Sequence, residues 1–223
     1  MRLSKTDRVR VDAAVIAAES GTAGEIVTIV AADSDAYHDV ALHWAVLAML
    51  LVLALLSAWP RAVEPLYALV ADPWTTTMSA RALFGVALVL VTLAFLLVRI
   101  VLAWRPLRLA LTPRTTKARR VRRRAIALFR ASAERRTRGH TGVLLYLSIA
   151  ERRAEIVADD AIHSRVAHEV WGDAMLALVE AVRDGRPGDG MAEAVARIGA
   201  VLAEHFPRGA DDLNELPDRV IEL

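Results

Sequence analysis

A chain of 223 residues that is 55% hydrophobic and 24% charged, with a mean hydropathy of +0.36, fits an ordinary soluble domain poorly unless its apolar and charged residues are kept in separate stretches. The formal net charge is only +2, but bases crowd the segment from Arg105 to Arg138 while acids outnumber bases from Glu151 onward, which excludes a polycation that binds nucleic acid over its whole surface. Cysteine is absent, so disulfide frameworks, thiolate zinc sites and thiol nucleophiles are excluded as well.

In chain order, TDRVRVDAAVIAAESGTAG predicts a helix with Val9, Ala13, Ile16 and Ala17 on its apolar face, stopped by Gly21 and Gly24. EIVTIVAA then reads as a strand, its nearly continuous β-branched run being the pattern of burial on both faces. One strand is not stable alone, and nothing else near it has strand character. Its partners must therefore lie further along the chain.

Two apolar runs follow, from Leu42 to Trp59 and from Ala82 to Trp104. Each is close to the roughly 20 residues a helix needs to cross about 30 Å of hydrocarbon. Trp44, Trp59 and Trp104 stand at their ends, where indoles favour the interface, and Arg99 lies near enough to one end to snorkel. Both runs are predicted to be transmembrane helices. The connector from 60 to 81 is nearly neutral, whereas Arg105, Arg108, Arg114, Lys117, Arg119, Arg120, Arg122, Arg123 and Arg124 follow the second run. Because Lys and Arg accumulate on the cytoplasmic flank, both termini are expected in the cytoplasm, with the connector facing outward. The same cluster meets anionic headgroups, each basic residue near the surface contributing about 1 kcal/mol. With Phe129 as the sole nearby aromatic, it lacks the stacking residues of a nucleic-acid groove.

Beyond the basic stretch, Val121, Ala125, Leu128 and Phe129 line one side of a helix. TGVLLYLSIAERRAEIVADD predicts a strand, a charged turn at Glu151 to Arg153, and a second strand from Ala154 to Ala158. An amphipathic helix over about 166–184 carries Trp171, Met175, Leu178 and Val182 and stops at Gly185; another, over about 191–205, takes Asp189 as N-cap and ends before Pro207. The expected fold is a small α/β/α sandwich interrupted by a transmembrane helical hairpin. Residues 1–40 form the first part of one cytoplasmic domain, 41–104 the hairpin with its outer loop at 60–81, and 105–223 a basic juxtamembrane helix and the rest of the domain.

TAGEIVTIVAADSDAY, ALFRASAERRTRGHTGVLLYLSIAERRAEIVADDAIHSRV, ARIGAVLAEHFP and the closing NELPDRVIEL together resemble the TPM domain family, in particular its bacterial membrane proteins. The resemblance implies an α/β/α sandwich. It also implies roles seen across the family: photosystem II assembly or repair, acid phosphatase activity, calcium binding, and service as an auxiliary subunit. As partners it implies LemA-type proteins or a second TPM protein. The chain departs from the photosynthetic members at ADDAIHSRV, where they carry a glycine-rich turn, and its domain is placed in the cytoplasm, where free calcium is scarce.

The candidate chemistry lies in aspartates that follow strands: Asp33 and Asp35 after the first, Asp159 and Asp160 after the last. Ligands of open α/β sheets bind at the carboxyl ends of parallel strands. Four carboxylates there could hold a divalent cation, if the strand ends face the same way. The competing reading makes them ordinary strand ends and helix caps, and it is preferred here. His163 and His168 lack the spacing of a zinc helix, GRPGDG lacks the ending of a phosphate loop, and Ser148 lacks a nucleophile elbow. The sequence thus points to a membrane-anchored, non-catalytic module for assembly, maintenance or scaffolding of a membrane complex, with a divalent cation at the aspartates as the one candidate cofactor. Asn214, Glu215, Leu216, Pro217 and Asp218 are its expected partner surface. The alternative is a metal-dependent phosphatase using the four aspartates.

Overall fold

The computed structural model describes residues 3–68, 79–133, 140–209 and 215–223. The elements are α1 (Lys5–Glu19), β1 (Glu25–Ala31), α2 (His38–Ala58), α3 (Glu64–Ala68), α4 (Ala80–Val101), α5 (Arg105–Ala110), α6 (Arg114–Ser132), β2 (Gly142–Ser148), β3 (Arg153–Ala158), α7 (Asp160–His163), α8 (Gly172–Arg183), α9 (Pro187–His205) and β4 (Ile221–Glu222). They divide into two compact units, residues 1–35 with 114–223 and residues 36–113.

The first unit is an α/β/α sandwich. Its sheet has the order β3-β2-β1-β4. β1 runs parallel to β2, from Glu25 beside Gly142 to Ala31 beside Ser148, and parallel to β4; β3 returns antiparallel to β2, from Ser148 beside Arg153 to Val143 beside Ala158. Period-two alternation sends Ile26, Val30, Val143, Leu145 and Leu147 into a core with Val11 and Val15 of α1, Leu178 of α8 and Ile198 and Leu202 of α9. The intervening Val27, Ile29, Leu144 and Tyr146 face Val121, Ala125 and Phe129 of α6. Helices on both sides leave β1 and β2 fully buried, which explains their unbroken apolar sequences.

Three local expectations are corrected. The buried side of α1 is Val11 and Val15, with Ala14 and Ala18 packed beside them. The predicted face points outward instead, leaving Val9 68% and Ile16 56% exposed. Both stripes satisfy helical spacing, and only the position of the sheet decides between them. Next, α9 begins at Pro187, whose fixed φ suits a first helical position, and Asp189 sits inside the first turn, favourable for the helix dipole, while Arg186 holds the cap. Finally, a strand forms at Ile221–Glu222, where none was predicted. β4 joins the sheet edge, with Leu223 N–H donating to Val30 O and Ala32 N–H donating to Leu223 O.

In the second unit, α2 and α4 are long and apolar enough to cross a membrane, with mean hydropathies of 2.4 and 2.7. Only 17% and 6% of those spans is buried, unlike the core helix of a soluble domain. Trp44, Leu47 and Leu51 of α2 share a groove of about 360 Å³ with Leu97, Val98 and Val101 of α4, so the start of one helix lies beside the end of the other, as in a hairpin. At the end of α4, Arg108 folds back and donates from Nη1 to Leu102 O at 3.2 Å. It thereby satisfies a terminal carbonyl that the helix itself leaves unpaired.

Candidate functional site

Strand direction separates the four aspartates. Asp33 and Asp35 follow the carboxyl end of β1. β3 runs the other way, so Asp159 and Asp160 lie beside Gly142, where β2 begins. Strands of seven residues put the two pairs at opposite ends of the sheet, roughly 20 Å apart at about 3.3 Å per residue. The expected four-carboxylate cation site is therefore not assembled. Asp159 is buried and structural: its Oδ2 accepts from Gly142 N–H at 3.1 Å, and its backbone carbonyl accepts from Ile162 and His163 as α7 begins. Asp160 is exposed in the first turn of α7. Among the described residues, no three histidine or acidic side chains are grouped to hold a metal ion.

What gathers at the carboxyl end of β1 and β2 is a polar cluster that the sequence reading missed. Glu151, 8% exposed in the β2–β3 turn, accepts from Ser34 N–H at 3.0 Å through Oε1 and from the Ser148 hydroxyl through Oε2. The Ser34 hydroxyl is 2.9 Å from the Tyr146 hydroxyl. Burial pushes the Tyr146 phenol above its ordinary range, with hydrogen bonding from Ser34 acting the other way. Asp35 accepts an ion pair from Arg120 of α6 at 2.9 Å. The cluster ties the loop after β1 to the β2–β3 turn and to α6. Tyr146 and Ser148, two apart on one strand, share a face, and that periodicity was the available signal. Their pairing with Ser34 depends on a parallel register that no local pattern discloses.

A second polar cluster occupies the opposite end of the sheet. Glu19 at the end of α1 accepts from Ile26 N–H at 2.7 Å, and the Glu25 carboxylate accepts from Glu215 and Leu216 N–H at 3.2 Å each. Glu19, Glu25, Arg208 and Asp218 line a cleft of about 160 Å³. Burial, reinforced by the charges of Glu25 and Asp218, pushes the Glu19 carboxyl up to about 8, against the opposing pull of its bond to Ile26. These contacts revise the expected partner surface. Leu216 is 6% exposed and packed with the α6 core, Glu215 and Leu216 are bound through their backbones, Asp218 lines the cleft, and Pro217 remains exposed. Asn214 lies outside the described residues.

The basic cluster divides between structure and surface. Arg105 and Arg108 belong to α5, and Arg108 is buried. Of the α6 residues, Arg120 pairs with Asp35 and the Arg114 carbonyl accepts from Arg153 at 3.4 Å. Lys117 is half-buried, whereas Arg119, Arg122, Arg123, Arg124 and Arg130 are exposed.

Fold and site together define a small α/β/α module carrying an apolar helical hairpin as an insertion. Residues 106–201 match the family model for the TPM domain. The NMR structure of BA42 protein from the psychrophilic bacterium Bizionia argentinensis superposes with a TM-score of 0.57 at 16% identity, covering 100% of this chain and 97% of that one, a likeness of fold. No curated protein matches the chain.

Proposed function

We propose that this is a membrane-anchored TPM-domain protein whose α/β module serves the assembly, maintenance or scaffolding of a membrane complex without itself catalysing a reaction. In this reading α2 and α4 span the bacterial inner membrane and both termini are cytoplasmic. The observation that carries it is the two-sided character of α6. Val121, Ala125 and Phe129 are buried under the sheet, while Arg119, Arg122, Arg123 and Arg124 are exposed. Four such residues near an anionic leaflet supply about 4 kcal/mol. That is enough to hold the module against the headgroups without a dedicated pocket. The partner remains another membrane protein, of the LemA type or a second TPM protein.

The test uses the full chain in nanodiscs of neutral lipid and of lipid containing anionic phosphatidylglycerol. Amide exchange in α6 should slow in the anionic discs, and replacing Arg119, Arg122, Arg123 and Arg124 by Glu should abolish the difference. Equal exchange in both lipids would remove the surface role. The alternative, a metal-dependent phosphatase, is supported only by Asp33 and Asp35 beside the hydroxyls of Ser34, Tyr146 and Ser148. It requires Mg²⁺-, Mn²⁺- or Ca²⁺-dependent turnover that is lost in Asp33→Asn/Asp35→Asn.

A further inference from the structure

We infer that the groove between α2 and α4 binds one anionic phospholipid, with its phosphate on the Arg108 guanidinium and one acyl chain along the groove, a site that rests on the membrane-spanning reading of the two helices. The polar half of the site is Arg108, only 7% exposed. Its Nη1 donates to Leu102 O at 3.2 Å, and it has no ion pair among the described residues. A guanidinium carries five N–H donors and a charge that is costly to bury unpaired. One carbonyl takes one donor and neutralises no charge. A phosphate supplies both the missing acceptors and the counter-charge. The side chain also projects from a fixed backbone: Arg108 N–H donates to Trp104 O at 3.2 Å, and the Thr112 hydroxyl donates to Arg108 O at 2.8 Å.

The apolar half adjoins it. Leu102, whose carbonyl Arg108 binds, lines the groove, as do Leu107 and Leu111 to either side of Arg108 in sequence. Every lining residue is apolar. From Trp44 to Leu51 the groove follows about 10 Å of α2, so its volume of about 360 Å³ gives a cross-section of roughly 35 Å², less than half the roughly 80 Å² of a helix 10 Å across. It seats an extended hydrocarbon chain and is too narrow for a partner helix. Close helix pairs also favour small residues, and Ala48 is the only one in this lining. On α2 the groove stops at Leu51, although the helix continues to Ala58. A spanning partner would need the whole length, whereas a lipid tail occupies one leaflet, with its headgroup at one end.

Charge at that end selects an anionic lipid over a zwitterionic one. Arg99 lies in the last turn of α4, and Arg105 and Arg108 lie in α5. The one acid of the hairpin unit near them is Asp39, in the first turn of α2.

Trp44 lines the groove and serves as the reporter. In the full chain, Trp59, Trp74 and Trp104 are replaced by Phe, leaving Trp44 and the core residue Trp171, 3% exposed, as an unquenched reference. A companion chain keeps Trp104, which is exposed and outside the groove, in place of Trp44. Both are reconstituted in phosphatidylcholine vesicles holding a minor fraction of phosphatidylglycerol or phosphatidylcholine brominated on its acyl chains. Brominated phosphatidylglycerol should quench Trp44 at about one-fifth of the fraction that brominated phosphatidylcholine needs, the preference that one basic residue confers. Ala48→Phe, which fills the groove, and Arg108→Gln, which removes the charge, should each abolish that preference at Trp44 and leave Trp104 unaffected. Equal quenching of Trp44 by the two lipids overturns the site. So does a preference that survives both substitutions, since it would come from lipid gathered by the surface arginines. Quenching of neither Trp44 nor Trp104 by either lipid overturns the membrane-spanning reading and the site with it, an outcome distinct from equal quenching by both.

Discussion

Glu19 shows how one residue can set the pH response of a fold. Its carboxyl sits where α1 hands over to β1, half-buried, with Glu25 and Asp218 close by. Burial is the largest cause of its rise from 4.5 to about 8. Between those values the folded state holds a proton that the unfolded chain releases. Stability contributed by Glu19 is therefore fully present below about 4.5 and is lost as pH rises toward about 8. Glu19→Gln keeps the oxygen that accepts from Ile26 N–H and removes the titration. The variant should unfold at nearly the same temperature at pH 5 and pH 8, whereas the parent melts lower at pH 8. Thermal melts across that range check this, and equal slopes for both proteins would show that Glu19 is ionised in the folded state. The sequence could not announce this carboxyl. Nothing about Glu-Ser-Gly-Thr after a helix distinguishes a buried acid from a solvated one, and its neighbour Asp218 is almost two hundred residues away.

At the scale of elements, legibility followed the range of the interactions that fix each one. β1, β2, β3 and the inward stripe of α6 were readable because alternation and helical spacing are local and because both faces of the central strands are buried. The apolar side of α1 was misread because two stripes competed, and the antiparallel return of β3, which splits the aspartates, depends on the short turn in which Arg152 adopts a φ of 51°. β4 pairs only two residues, too few for any periodicity to show. The contact of α1 with α9 was equally invisible, and it rests on Gly199. A Cβ there would lie 2.5 Å from the Ala18 Cβ and 3.0 Å from its Cα. Backbone cannot rotate out of the way as a side chain could. Gly199→Ala gains helix propensity of about 1 kcal/mol but must push the helices apart, a strain of about 1–3 kcal/mol. Strain should win, with Gly199→Ala losing about 1 kcal/mol and Gly199→Val more. Chemical denaturation measures both, and a stabilised Gly199→Ala would mean that α1 can shift freely.

At the scale of the molecule, the central question is why an α/β/α module tolerates interruption by an apolar hairpin. β1 and β2 are adjacent and parallel, and such a pair needs a crossover rather than a tight turn. α6 supplies that crossover by covering one face of the sheet, so the hairpin is additional chain inserted between the end of β1 and the start of α6. Among the described residues, those of both apolar cores come from 1–35 or 114–223. No described hairpin residue belongs to either core, and removal of the hairpin should cost the module little. The ends to be rejoined are close, since Asp35 is ion-paired to Arg120, and Arg114 precedes Arg120 by six residues of helix, about 9 Å. Replacing residues 36–113 by eight glycines and serines, which span up to about 26 Å extended, should give a soluble protein that melts in one cooperative transition with intact near-ultraviolet dichroism. A product with helical signal but no near-ultraviolet dichroism and no cooperative melt would show that the module does not fold without its insertion. A cooperative melt would mean that the chain before and after the hairpin is a single folding unit, discontinuous only in sequence.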